Sequence, residues 1–63
     1  MPEVYIHALE GRSVDQKRAL LRDITDAVVR HFDVAPEAVV VTIVEAPRHN
    51  KAKGGVLFSE RGK

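Results

Sequence analysis

A chain of 63 residues, folded alone, would bury only about 60% of the surface its unfolded form exposes, so one small domain over 1–63 is the ceiling and oligomerisation is the expected source of stability. The absence of cysteine excludes disulfides and thiolate metal sites, and a content of 44% hydrophobic and 30% charged residues excludes a disordered chain. A formal net charge of +1 is too small for the basic field of a nucleic-acid binder, no apolar run approaches the roughly 18 residues of a membrane span, and the Met-Pro-Glu start lacks the basic and apolar regions of a signal peptide; a cytoplasmic protein with neither nucleic-acid nor membrane partner is expected.

From Pro2 to Leu9, Val4, Ile6 and Ala8 alternate with Glu3, Tyr5 and His7, the period of a strand with one buried face. Proline suits the first strand position because no ladder donor is needed there. Gly11 breaks the pattern, and Ser13 followed three residues later by Gln16 forms a capping box that opens a helix at Ser13 or Val14. Leu20, Leu21, Ile24, Ala27, Val28, His31 and Phe32 then recur at spacings of three and four, with Asp15, Lys17, Arg18 and Asp26 assigned to the solvated side. Pro36 ends the helical run and suits the first position of a short helical turn.

Ala38 to Glu45 is nearly all apolar and β-branched, the pattern of a strand buried on both faces in a parallel sheet. Strand, helix, strand in that order predicts a parallel pair joined by a right-handed crossover. Two strands cannot cover that much valine, so other chains are expected to extend the sheet and cover its faces. A polar loop carrying Arg48, His49, Lys51 and Lys53 follows, then Gly54-Gly55 as a hairpin or bend and Val56-Leu57-Phe58 as an arm onto a neighbour.

Pro2 carries the most chemical information. Removal of the initiator methionine would leave a secondary amine, a base in water that titrates near neutrality once an apolar pocket or nearby cations depress its pKa below the usual α-amino range of about 7.7 to 8.0. Arg12, Arg48, Lys51 and Lys53 are the cations on hand. His7, His31 and His49 match no ligand spacing, so no metal site is expected, and His7 and His31 read as structural or interface residues.

Pro2, then Leu9-Glu10-Gly11-Arg12-Ser13, then Asp15-Gln16-Lys17, with Ile43-Val44-Glu45 and Gly54-Gly55 further on, resemble the 4-oxalocrotonate tautomerase family across essentially the whole chain. The resemblance implies an α+β fold: one β-α-β unit with a C-terminal hairpin, pairing into a four-stranded dimer and then into a hexamer of three dimers. It implies an isomerase of aromatic-compound catabolism that interconverts enol and keto forms of a small, anionic, unsaturated 2-hydroxy or 2-oxo acid, without a cofactor. Pro2 would be the general base and acid. Arg12 would clamp the far carboxylate, as a guanidinium fork suits, with Leu9, Lys51 and Arg48 as further substrate-binding residues.

Two family positions differ. Where the family has a second arginine, drawing on the reacting end of the substrate, this chain has Val40; where it has a phenylalanine that keeps the pocket dry, this chain has Lys51. Loss of one preorganised cation commonly costs about 10² to 10³ in rate, so Lys51, Lys53 or Arg48 is expected to substitute, or a different partner chain to supply the arginine. The latter defines an alternative reading, an accessory subunit of a hetero-oligomeric assembly. Lys53 falls where related dehalogenases have a water-activating glutamate, which leaves haloacrylate hydration poorly equipped.

Overall fold

A computed structural model describes residues 1–61; Gly62 and Lys63, counted in the expected domain, lie outside the described residues. Strand β1 spans Glu3–Leu9, helix α1 Val14–Phe32 and strand β2 Val40–Ala46, followed by a hairpin of β3 (Ala52–Lys53) and β4 (Val56–Leu57). β1 and β2 pair in parallel, from Glu3 opposite Val40 to Leu9 opposite Ala46, with α1 as the crossover. Val4, Ile6 and Ala8 are half-buried while Glu3, Tyr5 and His7 are exposed, as the alternation predicts.

The ends of α1 follow from local chemistry. The Gln16 backbone N–H donates to Ser13 Oγ at 3.1 Å, and the Gln16 side chain accepts from the Ser13 N–H at 2.9 Å, so the capping box is closed on both sides. Asp33 terminates the helix in the left-handed region (φ 56), where aspartate is tolerated, and its N–H donates to the Val29 carbonyl at 3.0 Å. Pro36 opens a single 3₁₀ turn, Pro36–Ala38, whose N–H it does not need to supply. Gly54 (φ 60) and Gly55 (φ 82) make the tight turn between β3 and β4, with positive φ at both central positions as a type I′ hairpin requires.

The expectation that the second strand, placed at Ala38–Glu45, is buried on both faces is corrected in this single chain. β2 begins at Val40, and Val40, Thr42 and Val44 all face away from the helix in the open, Val40 at 38% and Val44 at 40% exposure. One helix covers only one face of a two-stranded sheet, so the other stays bare. The helix stripe is likewise incomplete: Leu21, Ile24, Ala27 and Val28 are half-buried, but Leu20, His31 and Phe32 are exposed.

Among the described residues no side chain is fully buried. The accessible surface is 4909 Å², against about 4,000 Å² for a compact monomer of this mass. The radius of gyration is 14.9 Å, against about 11 Å for a compact chain of this length. The excess surface, about 900 Å², is the size of one partner's share in a standard protein interface.

Candidate functional site

Parallel pairing gives the sheet two chemically distinct ends. At the amino-terminal end, Pro2 is half-buried and its carbonyl accepts the Val40 N–H at 3.0 Å, so the start of β1 is tied to the start of β2. At the other end the Glu10 N–H donates to the Ala46 carbonyl at 3.1 Å, which brings the Arg12 turn beside the loop that carries Arg48 and Lys51. Seven strand residues at about 3.3 Å each separate the two ends by about 23 Å. Within one chain, therefore, Pro2 and Arg12 do not meet.

The position of Arg12 follows from its neighbours. Gly11 has φ 123, backbone that an L side chain rarely adopts, and Ser13 begins the helix cap immediately afterwards. Arg12 is thus held in a three-residue connection, Glu10 to Arg12, between strand and cap. It lines a cleft of about 300 Å³ with Leu9, Ile6, Ala8, Leu20 and Ile43 as the apolar part, and Gln16, Lys17 and Glu45 as the rest. Among the described residues the Arg12 guanidinium has no hydrogen-bond or ion-pair partner, which leaves its donors open to an anion.

The loop cations belong to the hairpin. Lys51 Nζ and the Arg61 guanidinium each sit 6.0 Å from the Phe58 ring centroid, within cation–π range. Arg61 Nη1 also donates to the Lys53 carbonyl at 3.0 Å, and the Phe58 N–H to the Lys51 carbonyl at 2.8 Å. The Arg48 carbonyl accepts the Ser59 N–H at 3.3 Å. Lys51 and Arg48 are exposed, on a segment with its own small frame.

Lys17 is a residue that sequence reasoning misplaced. Assigned to the solvated face, it is half-buried and its Nζ meets Glu45 Oε2 at 2.9 Å in the Arg12 cleft. The signal lay in its spacing, four residues before Leu21 and seven before Ile24, on the stripe that faces the sheet. Asp15, Arg18 and Asp26 are exposed as expected, Asp15 and Arg18 pairing at 2.8 Å.

On the uncovered sheet face the Tyr5 hydroxyl donates to Glu3 Oε1 at 3.1 Å, and that hydrogen bond, helped by the carboxylate charge, raises the phenol above its usual pKa of 10.0. Among the described residues no three His, Asp or Glu side chains are grouped to hold a metal ion, and no helix is long and apolar enough to cross a membrane.

The fold is a single β-α-β layer with an uncovered sheet face, a proline at one strand end and an unpartnered arginine beyond the other. Comparison with known proteins places it further. Residues 2–61 match the family model described as Tautomerase enzyme. A probable tautomerase of Bradyrhizobium diazoefficiens is 48% identical over 61 residues, covering 97% of this chain and 91% of that protein. A 2-hydroxymuconate tautomerase of Pseudomonas putida is 40% identical over 60 residues, covering 95% of each. The solved heterohexameric 4-oxalocrotonate tautomerase of Chloroflexus aurantiacus superimposes with a TM-score of 0.88 at 35% identity, covering 98% of this chain and 100% of that one. This chain belongs to the tautomerase family, among the short 4-oxalocrotonate tautomerase-like subunits. Family membership supports an isomerase activity.

Proposed function

We propose that the chain is a tautomerase of small unsaturated 2-hydroxy and 2-oxo acids, acting as an assembly of several copies with Pro2 as the proton carrier. Once Met1 is removed, the Pro2 nitrogen is a secondary amine. It takes the proton from the 2-hydroxyl of a dienol, leaving a conjugated enolate, and returns the same proton to a carbon along the conjugated chain to give the unsaturated ketone. The reaction is an isomerisation in which no electrons are gained or lost, and no cofactor enters the scheme. Arg12 holds the far carboxylate in a two-point clamp. Lys51, aided by Arg48 and supplied by the copy that lends Arg12, brings positive charge toward the reacting end in place of the missing arginine at Val40, and Leu9 contributes apolar wall beside Arg12.

The observation that carries this reading is the separation of Pro2 from an unpartnered Arg12 by the length of β1. An acid long enough to touch both must lie between one copy's Pro2 and a neighbour's Arg12, which gives the uncovered sheet face and the excess surface a purpose. Self-association is therefore part of the mechanism.

The test follows the enol-to-ketone conversion of 2-hydroxymuconate, with phenylenolpyruvate as a monocarboxylate comparison. Pro2→Ala is expected to lower kcat by about 10² to 10⁴, the usual worth of a positioned acid–base group, and intact mass is expected to show protein lacking Met1. An alanine variant with full activity, or protein that retains Met1 and still turns over, removes Pro2 from the mechanism.

A further inference from the structure

The cleft lined by Arg12 also holds two opposite charges that the proposed reaction does not use. Lys17 from the first turns of α1 and Glu45 from the end of β2 meet there at 2.9 Å, each side chain 30% exposed. Glu45 follows Val41 and Ile43 at the two-residue period of the strand, which carries its carboxylate to the helix side of the sheet. A carboxylate sharing a cleft with a guanidinium is a strong rival for any bound acid, because the planar fork donates two parallel hydrogen bonds to it. Here Glu45 is already engaged, and Arg12 has no partner among the described residues. Glu10, close to Arg12 in sequence, lies outside the cleft lining.

We propose that Lys17 is a positioning residue: by occupying Glu45 it keeps the Arg12 guanidinium free to receive the carboxylate of an anionic ligand. The proposal rests on the role given to Arg12 above. An unengaged Glu45 would act twice against such a ligand, by pairing with Arg12 and by repelling a second negative charge in a partly apolar cleft where charges are poorly screened. Lys17 removes both effects without touching the ligand. Its influence is assigned to binding, because Lys17 acts on Arg12 through Glu45 and not on the proton that Pro2 moves.

Steady-state kinetics of the assembled protein with 2-hydroxymuconate separate the possibilities, using Lys17→Met, Lys17→Arg, the double variant Lys17→Met/Glu45→Gln, and Arg12→Ala as reference. Lys17→Met is expected to raise KM about tenfold, the scale of one charge-assisted hydrogen bond, with kcat within about twofold. Lys17→Arg and the double variant are expected to return KM close to that of the parent, because one restores the engagement of Glu45 and the other removes the rival charge. A purely structural ion pair would leave the double variant as impaired as Lys17→Met, and that result overturns the proposal. Nitrogen-15 spectra give a readout independent of turnover: the Arg12 Nε–H signal should shift and exchange more slowly in Lys17→Met than in the parent or the double variant, and an unchanged signal counts against the rivalry. If Arg12→Ala raises KM while Lys17→Met does not, the role of Lys17 alone falls. If Arg12→Ala leaves KM unchanged, the Arg12 reading falls and takes the proposal with it.

Discussion

Arg12 owes its freedom to the residues on either side of it. Gly11 supplies a backbone angle that other residues resist, Ser13 commits the next residues to a helix cap, and the guanidinium left between them finds no partner among the described residues. Val40 shows the converse. It starts β2 beside Pro2 and is 38% exposed in the single chain, which gives a longer side chain there no clash within its own subunit. Replacing Lys51 with Met is expected to lower kcat by about 10², the lower range for losing a preorganised cation, and adding Val40→Arg to that variant is expected to recover part of the loss. Steady-state kinetics on the two variants check this; undiminished activity in Lys51→Met would take Lys51 out of the site. Pro2 and the Arg12 turn stand out in the sequence as candidates, but the roles given to them rest on the family resemblance and not on residue type and spacing alone. The pairing of Lys17 with Glu45 was not legible there, because it joins residues 28 positions apart and depends on which way each face turns.

At the scale of elements, the helix start and the hairpin were readable because both are set by contacts within four residues. Ser13 and Gln16 satisfy each other's backbone donors, and Gly54-Gly55 take the two positive φ values of the turn. Ser13→Ala is therefore expected to cost about 1 kcal/mol of stability, read as a lower urea midpoint at fixed protein concentration; an unchanged midpoint would mean that the cap is redundant in the assembly. β2 was harder. Its valines announce a strand, and the parallel register with β1 follows from the crossover helix, but burial on two faces requires two covering layers and one chain supplies one. Lys51 and Arg61 both lie within cation–π range of Phe58, a small cluster that neither charge pattern nor apolar pattern signals by itself.

For the whole molecule, the governing fact is surface. With no fully buried side chain among the described residues and about 900 Å² more surface than a compact monomer of its mass, the single chain buries less than an independent domain of its size. Its thermal midpoint is therefore expected to rise with protein concentration, as mass action requires when subunits stabilise one another, and light scattering should show loss of the assembly before or together with loss of helix signal. A midpoint independent of concentration, with a folded monomer in solution, would contradict this. The sequence by itself determined the absence of disulfides and where the first strand, the helix and the hairpin begin, and it pointed to Pro2 and Arg12 as candidates for the chemistry, since each of these depends on residue type and near spacing. Only the tertiary structure decided that Pro2 and Arg12 stand at opposite ends of the same sheet, that Lys17 faces inward against Glu45, and that the valine-rich strand shows a bare face, because those relations depend on how far a strand carries its ends apart and on which surface one helix can cover.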